Sequence, residues 1–255
     1  MLPPVCLLYQ LGTLPYEEAW KLQETLAAQI AAGEHPPALL LLEHPHTYTF
    51  GRRGQLSHLL WDQAELDRRG VSVHWVDRGG DVTYHGPGQL VGYPILPLPT
   101  GGLRLEPGSD PSHLPQADYV GYLRKLEEVL IQALHALGVP AQRVNGLTGV
   151  WVRPAGAAPP LQPDLPGAGL AKIAAIGVKV DVRGITRHGF ALNVNPDMSY
   201  WQGIIGCGLP GCQVTSLAGL LPSSPAMPRV AEAVVQAFQA VFSYRLVYQT
   251  QTKHT

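Results

Sequence analysis

Arg78-Gly-Gly-Asp-Val-Thr-Tyr-His-Gly-Pro-Gly-Gln89 runs straight into the apolar stretch Leu90-Val-Gly-Tyr-Pro-Ile-Leu96. Four glycines and a proline let this backbone turn tightly and approach a ligand closely, with Arg78 and His85 as polar groups inside it. A bulged hairpin whose glycines serve only turns is an equal reading on spacing alone. A dinucleotide fingerprint fits poorly, because Val91 stands where a third glycine belongs and a strand, not a helix, comes next. No Gly-Lys-Ser/Thr triplet occurs anywhere, which removes a Walker-type phosphate cradle.

Outward from this stretch, hydrophobic periodicity predicts four helices. They cover Pro15 to Ala32, Trp61 to Arg69, Asp118 to Leu137 and Arg229 to Val241, the last with Pro228 at its start. Gly33, Gly70 and Gly138 suit the stops of the first three. Strands are expected at Val5 to Gln10, Ala38 to Glu43, Thr47 to Phe50, an alternating Val71 to Asp77, and Leu90 to Leu96. Thr148 to Val152, Ile173 to Val182, Gly189 to Val194 and Tyr244 to Tyr248 follow. Strands and helices do not alternate regularly, so the expected class is α+β with a mixed sheet, not a doubly wound parallel sheet. The whole chain, 1–255, is read as one domain, with mobile loops near 99–115 and 154–169, both rich in Gly and Pro.

Eighteen basic and nineteen acidic residues give a net charge of −1, which argues against a nucleic-acid binder held by a basic field. Unbroken apolar runs such as Ala38 to Leu42 fall far short of the roughly 20 residues a membrane helix needs. The start, MLPPVCLLYQLG, lacks a basic region and a small-residue cleavage site, so a cytoplasmic protein is expected. Three cysteines do not make a disulfide framework. Nothing resembles an obligate dimer seam, and a monomer is the default.

Cys6 sits among Val5, Leu7 and Leu8 and reads as core. Cys207 is flanked by glycines, which free backbone N–H groups to face whatever binds the sulfur, as an oxyanion site requires. Cys212 shares its loop, so a metal pair is an alternative, though no second cysteine pair exists and His44 and His46 make a weak partner. Only five of the basic residues are lysines, and one of them, Lys172, opens an apolar strand. Its ammonium either snorkels to solvent, the reading that local sequence favours, or is a partly desolvated functional amine. His188, before Gly189, reads as a loop histidine or as a site residue.

Taken together, Arg78 to Leu90, Lys172-Ile-Ala-Ala-Ile-Gly177, His188-Gly-Phe-Ala-Leu-Asn193 and Cys207-Gly-Leu with Val214-Thr-Ser-Leu217 resemble the lipoyl(octanoyl) transferases. Glu43-His-Pro with Thr49-Phe-Gly51 matches as well, and the resemblance covers about residues 5 to 245. It departs at Gly206, where the family often has proline, and in a longer loop at 154–169. It implies the fold of biotin and lipoate protein ligases and transfer of an octanoyl group from octanoyl-acyl carrier protein to a lysine of lipoyl domains. The acceptors would be the E2 subunits of 2-oxoacid dehydrogenases and the glycine cleavage H protein. It assigns Cys207 as the acyl-accepting nucleophile and Lys172 as its acid–base partner, with no cofactor and no metal. By the same resemblance Arg78, Gly79, Gly80, Asp81, Val82, Thr83, Tyr84, His85, Ala175, Ile176, Gly177, His188, Gly189 and Phe190 would bind substrate. An ATP-dependent ligase on the same fold, a non-catalytic acyl-binding protein and an amidotransferase between two protein lysines are the rival readings.

Overall fold

The computed structural model describes residues 2–98, 118–154, 167–206 and 212–249. The order is β1 (Val5–Thr13), α1 (Tyr16–Ala32), β2 (Ala38–Glu43), β3 (Thr47–Phe50), α2 (Gln63–Arg69), β4 (Ser72–Trp75), β5 (Val82–His85) and β6 (Gln89–Ile95). Then come α3 (Tyr119–Ala136), β7 (Gln142–Val144), β8 (Leu147–Val152), β9 (Ala171–Val180), β10 (Thr186–Asn193), β11 (Gln213–Val214), α4 (Leu217–Leu220), α5 (Met227–Phe242) and β12 (Arg245–Tyr248). Short 3₁₀ turns lie at Leu56–His58 and Met198–Gly203. None of the described helices is long and apolar enough to cross a membrane. Most of 99–115 and 154–169, the two stretches expected to be mobile, falls outside the described residues.

The large sheet runs β12-β1-β2-β6-β10-β9-β8-β7, with β11 attached to β9; a second sheet runs β4-β3-β5. Parallel pairs (β1 with β2 and β12, β3 with β4, β9 with β11) mix with antiparallel ones, so the class is α+β. The run Ala38–Leu42 is continuously apolar because both faces of β2 are covered. Leu39 and Leu41 pack with α3 and α5 residues such as Leu126, Leu130, Val234 and Phe238. Ala38, Leu40 and Leu42 face α1 through Ala19, Leu26 and Ile30. The small sheet closes over its own core of Tyr48, Phe50, Val82, Tyr84 and Tyr200.

Helix ends follow local chemistry. Asp118 caps α3 by accepting from Gly121 N at 2.7 Å, and Gly33 and Gly70 end α1 and α2 in the left-handed region. The last helix begins earlier than its pattern suggests: it starts at Met227, and Pro228 lies in its first turn, where a missing N–H costs nothing. Three strands were not expected. Val82–His85 hides inside the glycine-rich stretch, and Gln142–Val144 and Gln213–Val214 are too short to show a period. The expected alternation at Val71 to Asp77 is only partial, for Trp75 is 55% exposed and stacks on Phe50.

Strands β6 and β10 approach unusually closely. A Cβ on Gly189 would lie 2.1 Å from the Gly92 carbonyl oxygen, and one on Gly92 would meet the Phe190 ring at 2.1 Å. Gly189→Ala is therefore expected to cost about 1–3 kcal/mol, read as a lower urea midpoint, because the obstacle is backbone and cannot swing away. Deep beside this pair His44 donates from Nδ1 to Leu14 O at 2.7 Å and accepts from the Tyr93 hydroxyl at Nε2, also 2.7 Å. Burial holds its pKa down at about 4. The unfolded chain, titrating near 6.5, takes up that proton first, so stability is full above about pH 6.5 and declines as the pH falls from there through 4. His44→Gln should flatten urea-derived stability across that window by up to about 1.4 kcal/mol per pH unit; an unchanged slope would place the pH dependence elsewhere.

Candidate active site

A cleft of about 900 Å³ opens where the two sheets meet. One wall is the turn 78–82 leading into β5; the other comes from β9, β10 and the first turns of α3. Thirteen of the fourteen substrate-binding residues expected from the resemblance line it: Arg78, Gly79, Gly80, Asp81, Val82, Thr83, His85, Ala175, Ile176, Gly177, His188, Gly189 and Phe190. Tyr84 does not, because strand alternation sends it into the small-sheet core, where it stacks on Tyr200 and donates to His46 Nδ1 at 2.9 Å.

The turn owes its position to glycine. Gly79 N donates to Val178 O at 2.9 Å, which lays the turn on β9 at Gly177; a Cβ on Gly177 would be 3.0 Å from Gly79 O. Gly80 adopts φ +89°, and a Cβ on Gly51 would lie 2.5 Å from its carbonyl oxygen. Arg78, 7% exposed, aims inward and donates from Nη2 to Thr49 Oγ1 at 2.9 Å and from Nη1 to Gly79 O at 2.9 Å.

His85 is buried, and its pKa is pushed well below the ordinary value by burial and then by the neighbouring His44. Neutral, it donates from Nδ1 to Gln89 Oε1 at 2.9 Å, leaving Nε2 to accept. The chain continues through Gln89 Nε2 to Asn193 Oδ1 (2.8 Å) and Asn193 Nδ2 to Thr215 O (2.9 Å). Thr215 N donates in turn to Lys172 O at 2.9 Å. A line of satisfied polar groups thus connects the turn to the lysine's backbone.

Lys172 is not a snorkelling side chain. It is 4% exposed, lines the cleft, and holds its ammonium 4.7 Å from the Trp151 ring centroid, a cation–π contact. Its backbone is fixed on both sides, by Trp151 of β8 and by Val214 of β11, which joins β9 beyond the end of the β10 ladder. Gly149, φ +115°, lets β8 lie close against β9: a Cβ there would be 2.7 Å from the Ala174 carbonyl oxygen. Glu127, buried on α3, accepts from Gly149 N at 3.2 Å and pairs with Arg124 and Arg143. Cys207, the expected nucleophile, lies outside the described residues. Its flanks are described: Ile205 N donates to His58 O at 2.9 Å, and Cys212 packs against Trp151, Val144 and Leu170. A Cβ on Gly206 would sit 3.1 Å from the Trp201 ring. Cys6 is fully buried, its thiol pushed up to about 12 by burial, and is no nucleophile.

Nor is His188 a loop histidine. It lies within β10 at φ +57°, buried, and donates from Nε2 to Asp77 Oδ1 at 2.7 Å. Burial lowers its pKa, opposed by Asp77. Asp77 also takes Lys179 at 2.5 Å and Arg187 at 2.7 Å, and these cations with His188 outweigh burial and hold its carboxyl well below the usual range. Sequence reasoning gave no role to Thr49 and Gln89, although both lie in the quoted motifs, and missed Asp77 and Glu127, which carry hydrogen bonds beneath the cleft, and the lining residues Tyr16, Arg52, Arg53, His58, Tyr93, Tyr119 and Leu123. No group of three or more potential metal ligands exists among the described residues.

Residues 15–239 match the model of the lipoyl protein ligase A/B catalytic domain. The octanoyltransferase of Chloroflexus aggregans is 44% identical over 94% of this chain and 96% of its own, and that of Solibacter usitatus 42% over 95% of each. Among solved structures, the bipartite lipoate protein ligase of Thermoplasma acidophilum superposes with TM-score 0.64 at 16% identity, over 98% of this chain and 89% of that one. A lipoate-protein ligase A bound with ATP gives 0.62 at 17%, over 98% and 90%, a likeness of fold. By fold and by sequence, the chain belongs to the lipoyl protein ligase A/B catalytic-domain family.

Proposed function

We propose that this protein is an octanoyltransferase, taking an octanoyl group from octanoyl-acyl carrier protein and placing it on a lysine of lipoyl domains through an acyl-Cys207 thioester. The observation that carries the reading is the buried ammonium of Lys172 in the cleft wall, on the strand that pairs with the residues just after 207–211. Relatives at 42–44% identity over nearly the whole chain, all named octanoyltransferases, support the acyl group.

The chemistry balances without ATP. An ammonium beside a thiol of ordinary pKa near 8.5 favours the thiolate. Cys207 Sγ adds to the thioester carbonyl; the carrier's thiolate leaves and takes a proton from Lys172 Nζ, now a neutral amine. The acceptor lysine's amine then adds to the acyl-Cys207 carbonyl, Lys172 Nζ takes a proton from that nitrogen, and the Cys207 thiolate departs. One thioester is exchanged for another, then for an amide, which drives the sequence forward. Ile176, Phe190, Leu123 and Ala191 give the acyl chain apolar contacts; at about 0.8 kcal/mol per buried CH₂, seven carbons contribute several kcal/mol and select octanoyl over acetyl.

Intact-mass measurement after mixing the chain with octanoyl-acyl carrier protein, without ATP, should show one octanoyl group that apo lipoyl domain discharges. Cys207→Ser should show none, and Cys212→Ser should acylate normally. Lys172→Arg, which keeps the charge but cannot exchange a proton at neutral pH, should cut turnover at least about 100-fold. Modification of the lipoyl domain only when ATP and free octanoate are supplied would replace this reading by a ligase.

A further inference from the structure

Where the cleft meets solvent, two adjacent arginines, Arg52 and Arg53, line it with exposed side chains. Their backbone is rigidly placed: Arg52 N donates to Arg78 O and Arg53 N to Gly80 O, both at 3.0 Å, directly on the turn that forms the cleft wall. Other basic groups around the cleft are occupied. Lys179 and Arg187 hold Asp77, Arg183 holds Asp181, and His58 holds Asp81. Among the described residues neither Arg52 nor Arg53 has an ion pair or a side-chain hydrogen bond. Arg52 also lines a shallower cavity of about 560 Å³ with Lys179, Arg183 and Arg187, whose charges are met by Asp77, Asp181 and Glu24. In a chain of net charge −1 the arginine pair is a local concentration, not a general basicity.

We propose that Arg52 and Arg53 form a phosphate subsite at the cleft mouth that grips the phosphoester of the acyl donor's arm. The proposal rests on the octanoyltransferase reading. With the acyl chain inside and its thioester at Lys172, the rest of the arm leaves by the mouth and carries its phosphate past these guanidiniums. Their planar forks match phosphate oxygens bidentately, and no internal ion pair has to be broken first. Set ahead of the reacting carbonyl, the subsite favours donors that bear the phosphate without touching the chemical step.

The test compares octanoyl-4′-phosphopantetheine with octanoyl-pantetheine, donors that differ only in the phosphate, with lipoyl domain as acceptor. The parent should favour the phosphorylated donor by about tenfold in kcat/KM. Arg52→Ala/Arg53→Ala should bring that ratio near one, and Arg52→Lys/Arg53→Lys should restore part of it. Arg229→Ala/Arg245→Ala removes the same charge from exposed sites in α5 and β12 and should leave the ratio as in the parent. A parent ratio near one, a ratio that survives in the alanine pair, or one lost equally in the Arg229/Arg245 pair would overturn the subsite. Transfer from neither donor would overturn the functional reading instead. Calorimetric titration with unacylated 4′-phosphopantetheine, against the parent and the alanine pair, then decides the subsite alone: weaker binding to the variant sustains it and equal binding ends it.

Discussion

The turn Arg78–Gly80 is squeezed between two glycines, one from each sheet: Gly51, after β3, and Gly177 on β9. A methyl group on either would run into the turn's own carbonyl oxygens, at 2.5 Å and 3.0 Å. Because the contact is backbone on backbone, it sets the separation of the sheets to within a few tenths of an ångström, and the cleft is the space that remains beside it. Arg78 ties the turn to the small sheet by donating to Thr49, and Gly79 N ties it to the large one through Val178 O. The arginine that sequence alone presents as a ligand group thus also secures one side of the joint.

Around this joint, charge is handled asymmetrically. The histidines lodged behind the cleft, His44 and His85, are depressed by burial and work at neutral pH as donors and acceptors without charge. Buried and half-buried carboxylates are matched by cations, Asp77 with Lys179 and Arg187, and Glu127 with Arg124 and Arg143. Lys172 is sheltered from solvent with its ammonium over the Trp151 ring.

Much of this was readable in the sequence because the signals are local. Ala38–Glu43, Thr47–Phe50 and the glycine stops of α1 and α2 follow from apolar runs and from φ > 0 requirements that depend on a few neighbours. The ordered motifs around Arg78, Lys172 and His188 supply about half of the cleft lining, since each sits on a separate element meeting at one place. Local reasoning failed where partners are distant. Lys172 reads as solvent-seeking until Trp151 closes over it from β8, and His188 reads as a loop until Asp77, 111 positions away, holds it inside a strand. Asp77 itself, at the end of an unremarkable strand, carries no motif at all. Tyr84 fails differently: it shares a motif with Thr83 and His85, but strand alternation points it the other way.

The close glycine contacts also divide the cleft into a stiff side and an adaptable one. Gly177 lies backbone to backbone with the turn and Gly189 with Gly92 of β6, so a larger residue at either would have to move backbone. Leu123 and Tyr119 belong to the opening turns of α3, and their side chains reach the cavity from a single helix whose other face is anchored in the core. Under the octanoyltransferase reading, a change in the length or shape of the acyl chain would be met by substitutions on α3, while β9 and β10 stay unchanged.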